Sequence, residues 1–154
     1  MSQVEARLHA IGLTIPQVVT PLAAYVPAAR TGNLVYTAGQ LPMVEGQLPA
    51  AGKVGAEITQ DEASELAKIC ALNALAAVKS VIGDLDRVVR VVKVVGFVAS
   101  APDFTSQPAV VNGASNLLKE AFGDAGVHAR SAVGVTSLPL NAPVEVEIIV
   151  EVAD

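Results

Sequence analysis

The sequence predicts an α+β fold: two long helices packed on one face of a mixed β-sheet. Three observations carry this expectation. Residues 60–82 contain neither glycine nor proline and lie between a Thr59–Glu62 capping box and Gly83, which marks one long helix. Val88 to Ala99 holds eight aliphatic or aromatic β-formers in twelve positions, too β-branched for a helix, and reads as a central strand covered on both faces. Val144 to Val152 alternates Val, Val, Ile, Val, Val with Glu145, Glu147, Ile149 and Glu151, a strand with one greasy and one acidic face.

The remaining elements follow in chain order. Val4, Leu8 and Ile11 fall at helical spacing, so residues 3–11 predict a short amphipathic helix stopped by Gly12. Ile15 to Thr20 is apolar and β-branched and predicts a strand. Tyr25–Ala29 and Leu34–Ala38 flank Arg30-Thr31-Gly32-Asn33, the signature of a β-hairpin. Residues 41–58 lack periodicity and predict a long loop. A second helix begins at Asp103 or Ser106, tolerates Pro108 in its first turn, and ends near Phe122 before Gly123-Asp124-Ala125-Gly126. His128–Val135 then predicts a strand joined to the last one by a Pro/Asn turn. The expected order is β-β-β-α-β-α-β-β, with an optional helix in front.

Composition narrows the function. At 154 residues the chain predicts a single domain, 1–154. Apolar residues make up 52% and charged residues only 16%, so part of the surface is expected to be hidden in an oligomer. A net charge of −5 and 3% aromatic residues argue against a nucleic-acid surface. A single cysteine, Cys70, excludes an intrachain disulfide and suits a reducing compartment. No signal peptide and no stretch of membrane-spanning length is apparent, so a soluble cytoplasmic protein is expected. His9, His128 and Cys70 show no metal-ligand spacing, and neither a P-loop nor a dinucleotide fingerprint is present, so no cofactor or metal is expected.

The candidate chemistry lies near the C-terminus. Under the two-residue strand period, Arg130, Ala132 and Gly134 point one way, placing a cation beside two small residues. That pattern suits a pocket for a small carboxylate, which a guanidinium fork binds bidentately. The alternative is a surface arginine paired with Glu145 or Glu147 on an adjacent strand. Glu145 is nearest to Arg130 if the turn at 139–143 pairs the two strands directly, and a carboxylate there could orient or deprotonate water. The plain alternative for the glutamates is a solvated strand face. Tyr25 serves either sheet packing or as a hydroxyl at a pocket rim. Cys70, mid-helix in an apolar run, reads as core packing. Gly113-Ala114-Ser115-Asn116 lies within a helix and lacks the sharp strand-to-helix turn of a nucleophile elbow.

Ala129-Arg130-Ser131, with Leu138-Pro139 and Val144-Glu145-Val146-Glu147 downstream, resembles the signature of the RidA (YjgF-like) family, known also as endoribonuclease L-PSP. Gly32 to Gln40, Asp103-Phe104 and Val111-Asn112 add to the resemblance in order and spacing. It covers residues 22–152, leaving 1–21 as an N-terminal extension. The resemblance implies a chorismate-mutase-like fold in a homotrimeric barrel with clefts between subunits. It also implies hydrolysis of reactive enamines and imines, of the 2-aminoacrylate type, to 2-keto acids and ammonia without a cofactor. Arg130 would grip the substrate carboxylate and Glu145 would position water, with support from Tyr25, the Gly39 backbone, Asn112 and the Ala132 backbone. The chain departs from the family pattern at Ala38 (usually Ser), Ala132 (usually Cys) and His128 (usually Pro). A non-catalytic carboxylate sensor and, with less support, an endoribonuclease are the competing functions.

Overall fold

The computed structural model describes residues 1–154. Its elements are α1 (Gln3–Ala10), β1 (Ala28–Thr31), β2 (Leu34–Thr37), α2 (Gln60–Ile82), β3 (Val88–Ala99), α3 (Gln107–Phe122), β4 (Ala129–Val135) and β5 (Val144–Val152). Both long helices form where the sequence places them. Thr59 Oγ1 accepts the Glu62 amide at 3.1 Å to start α2, and Gly83, at φ +82°, ends it. Ser106 sits at the N-cap of α3, with Pro108 in the first turn. The two helices pack closely because Gly113 of α3 meets the backbone of α2. A β-carbon at position 113 would lie 2.8 Å from the Ser64 carbonyl carbon.

The five strands form one mixed sheet in the order β1-β2-β5-β3-β4. Its helix-facing side supplies Val91, Val94 and Val98 from β3 and Val144, Val146, Ile148, Val150 and Val152 from β5 to a core shared with α2 and α3. The opposite side carries Glu145, Glu147, Ile149 and Glu151. Phe97 and Val95 of β3 are half-buried there, so the single chain covers only one face of β3. Tyr36 and Val133 on this side are 43% and 45% exposed, an unusual apolar content for a bare sheet face.

Three expectations need correction. Ile15–Thr20 forms no strand. Pro16 and Pro21 lack the amide donors a ladder needs, and Ile15 and Val18 instead pack against the hydrophobic core. The hairpin is shorter than expected, with Thr31 opposite Leu34 across Gly32-Asn33, and Tyr25 lies outside it. Most important for function, β4 and β5 do not pair. β3 lies between them, parallel to β4 and antiparallel to β5.

The N-terminal segment is anchored to the helical layer. Ser2 and Glu5 form a capping box. The Asp86 carboxylate accepts the Gln3 and Val4 amides at 2.8 and 3.1 Å, and Glu5 pairs with Lys79. Val4 and Leu8 are buried as expected, while Ile11 is 49% exposed because the helix has already ended at Ala10.

Candidate functional site

β4 is an edge strand, and its first residues run alongside the middle of α3. Arg130 aligns with buried Val94, so its side chain leaves the sheet on the helix side. There its Nη1 donates to Asn112 Oδ1 at 2.7 Å and to Ser115 Oγ at 3.2 Å, two acceptors one helical turn apart. The residue forms no ion pair, so the expected alternative of a bond to Glu145 or Glu147 does not occur. Nε and Nη2 make no hydrogen bond within the chain and remain available to a ligand.

His128 buttresses this arrangement. Its Nδ1 lies 2.6 Å from the Gly126 carbonyl and its Nε2 lies 2.9 Å from Ser115 Oγ. A carbonyl can only accept, so in the neutral ring Nδ1 carries the proton and Nε2 accepts from the Ser115 hydroxyl. The Ser115 oxygen then turns its lone pairs toward Arg130. A sequence reading passes over Ser115 and His128 singly. Asn112, Ser115, Asn116 and Lys119 form a polar stripe at helical spacing that could single out Ser115, while its contacts with His128 and Arg130 depend on how α3 lies against β4.

The small residues beyond Arg130 have a different use from the one expected. A β-carbon at Gly134 would lie 2.8 Å from Gln107 Nε2 and 3.1 Å from Ser100 Oγ, so side chains already fill that space. Ala132 packs against the core. The open volume is confined to the Arg130 end of the strand, a hollow of about 290 Å³.

A second cluster lies at the start of β5. Glu145 stands on the side of the sheet away from the helices, with its carboxylate against the α-carbon of Gly39. A β-carbon at 39 would lie 2.9 Å from Glu145 Cδ. Burial is the main cause of its raised pKa, and the Glu147 charge adds to it. Gln40 fixes the approach by exchanging backbone hydrogen bonds with Val146 at 2.8 and 3.0 Å. Upstream, the Thr37 hydroxyl accepts the Ile148 amide at 3.0 Å. Tyr25, Gly39, Gln40, Met43 and Leu140 line a cavity of about 220 Å³. Leu140, 68% exposed, is held at φ +59° on its rim, an uncommon backbone for a branched side chain that only the folded structure shows.

The structure therefore brings Arg130 together with Asn112, Glu145 with Gly39, and Tyr25 with Gly39 along one cavity, but it keeps the Arg130 and Glu145 groups apart. Glu145 is level with Phe97 and Val133, three residues beyond Arg130 and two strands away, on the opposite side of the sheet. That separation is about 14 Å between α-carbons. Cys70 is fully buried with its thiol pKa pushed up by burial, in line with a packing role. Nowhere do three His, Cys, Asp or Glu side chains converge to hold a metal ion. No helix is long and apolar enough to cross a membrane.

A five-stranded mixed sheet under two helices is the α+β fold expected from the sequence. Residues 5–152 match the family model described as "YjgF/chorismate_mutase-like, putative endoribonuclease", and the chain belongs to that family. It is similar to Protein TCP17 of Trypanosoma cruzi, at 42% identity over 97% of this chain and 94% of that protein. The crystal structure of Atu1372, a protein of unknown function from Agrobacterium tumefaciens, superposes with a TM-score of 0.93 at 47% identity, covering 98% of this chain and 93% of that one. A protein of Shewanella oneidensis MR-1 whose structure is described as that of a putative endoribonuclease gives a TM-score of 0.93 at 34% identity, covering 97% of this chain and 99% of its own.

Proposed function

We propose that this protein hydrolyses reactive 2-enamines and 2-imines to 2-keto acids and ammonia in a cleft completed between copies of the chain. The observation that carries the reading is Arg130, which Asn112 and Ser115 hold in place while no carboxylate neutralises it. A guanidinium fixed through Nη1 keeps Nε and Nη2 as a fork for a substrate carboxylate. Glu145 supplies the second requirement. With its pKa raised, it is a stronger base than an ordinary glutamate when ionised.

The chemistry follows from these two groups. Arg130 anchors the carboxylate, and Glu145 accepts a proton from water as the oxygen attacks the C2 carbon of the imine. That proton passes to the nitrogen to give a carbinolamine, whose hydroxyl proton then moves by way of Glu145 to the amino group as the C=O bond forms and the C–N bond breaks, releasing ammonia and a 2-keto acid; an enamine enters by first taking a proton at C3 and becoming the imine. The substrate is already activated, so orientation supplies most of the acceleration. One chain holds Arg130 and Glu145 on opposite sides of its sheet, which supports a cleft where Arg130 of one copy faces Glu145 of another. The half-apolar outer sheet face supports an oligomer, and the resemblance points to a trimer. Tyr25, Gly39, Asn112 and the Ala132 backbone take positioning roles in this reading.

Ala38 and Ala132, which lack the family's usual hydroxyl and thiol, favour a second reading, a carboxylate sensor in the same cleft. An assay of 2-iminobutyrate generated by an amino-acid oxidase separates the two. Hydrolysis faster than in buffer, lost in Arg130→Gln, supports the deaminase. Calorimetric binding of 2-ketobutyrate without turnover of any imine selects the sensor.

A further inference from the structure

The hollow beside Arg130 has a chemistry that binding one carboxylate does not use. It is lined by Ser115, Asn116, Lys119, Val127, His128 and Arg130, with Gly126 contributing backbone. Val127 is the one apolar side chain among them, and none is acidic. In a chain of net charge −5, this leaves Lys119 and Arg130 together with no carboxylate within ion-pair range. Lys68, Lys79 and Arg90 have acidic partners and the other cations of the chain form no ion pair, so what marks Lys119 and Arg130 is that they line one hollow together. The wall between the two cations is preorganised, because both ring nitrogens of His128 are engaged.

The geometry points to a second acid-binding subsite at Lys119, so that the preferred ligands are 2-imino or 2-oxo diacids of four or five carbons. This rests on the reading of Arg130 as the grip for the first carboxylate. Lys119 stands one turn of α3 beyond Ser115, the residue to which Arg130 is tied, a step of about 6 Å along the helix. An extended five-carbon diacid separates its carboxylate carbons by about 5 Å, four bonds of about 1.5 Å that each advance about 1.25 Å along the zigzag. A distal carboxylate would therefore reach Lys119, with Asn116 as a second donor. An apolar tail of the same length would enter a hollow with only Val127 to cover it. Lys119 also lies in the last turn of α3, where a cation complements the helix dipole, so the test must separate that role from ligand binding.

The test compares 2-oxoglutarate with 2-oxopentanoate, a diacid and a monoacid of equal chain length, by titration calorimetry at fixed ionic strength on the full chain. The subsite predicts that the diacid binds about two- to fivefold tighter, the worth of one solvent-exposed ion pair. Lys119→Met should collapse that preference to near unity, whereas Lys119→Arg should retain most of it. Equal affinity of the two acids in the unsubstituted protein overturns the subsite but leaves the Arg130 reading standing. Binding of neither acid overturns both. A Lys119→Met protein that melts earlier yet keeps the full diacid preference shows that Lys119 serves only the helix end, and this too overturns the subsite.

Discussion

Substituting Gly39 by Ala tests how the fold places Glu145. The added methyl would stand 2.9 Å from Glu145 Cδ and overlap its Oε2. Restoring ordinary contact requires the carboxylate to move by about 1 Å. Gly39 has no left-handed backbone, so alanine brings no torsional penalty and gains about 0.4–1 kcal/mol by restricting the unfolded chain. Overpacking costs about 1–3 kcal/mol, for a net loss of about 1–2 kcal/mol. The effect on turnover should be larger, because a 1 Å misplacement of a reacting group costs about a hundredfold. Urea denaturation of Gly39→Ala, Glu145→Ala and the double variant measures the conflict directly. If the methyl acts by displacing Glu145, its cost should largely vanish in the Glu145→Ala background, with a coupling of about 1 kcal/mol. A coupling near zero, or a Gly39→Ala protein of unchanged activity, would show that Gly39 does not set the position of the Glu145 carboxylate.

Other substitutions probe separate parts of the account. Folding raises the pKa of Glu145 above 4.5, so the folded protein holds this proton more firmly than the unfolded chain does. Its contribution to stability therefore falls as pH rises from the ordinary value through the raised one. Glu145→Gln should raise the melting temperature more at pH 7 than at pH 4 while lowering imine hydrolysis by about 10²-fold or more. Glu5 behaves oppositely. The Lys79 ammonium and the Ser2 amide hold its pKa down to about 2, so its stabilisation is present above 4.5 and lost as pH falls toward 2. Glu5→Gln should cost less than about 1 kcal/mol at pH 7 and nothing near pH 2, read from thermal melts across that range. Thr37→Val removes the acceptor of the Ile148 amide and should cost about 1–3 kcal/mol in urea denaturation. Gly113→Ala should cost about 3 kcal/mol or more, since its methyl meets the rigid backbone at Ser64.

Local signals proved legible where a residue's own neighbours decide its state. The Thr59 cap, the Gly83 stop and the alternation of β5 needed no tertiary information. Ile15–Thr20 forms no strand despite its β-branching, because Pro16 and Pro21 lack amide donors and no partner strand lies alongside. Strand order was hidden for a different reason. A short connection between β4 and β5 suggests a hairpin, but β3 can pair with both and excludes it. That insertion separates Arg130 from Glu145, so the sequence marked both residues but not their arrangement. The support given by Ser115 and His128 was equally hidden, because it depends on how α3 lies against β4.

The central claim is that Arg130 holds the carboxylate of a small organic acid. Titration of 2-ketobutyrate into the protein and into Arg130→Gln, under conditions where both remain folded, tests it most directly. Saturable binding should weaken about tenfold or more in the variant, as expected for a lost charge-assisted fork. Equal affinity in the two proteins, or no saturable binding to either, would contradict it.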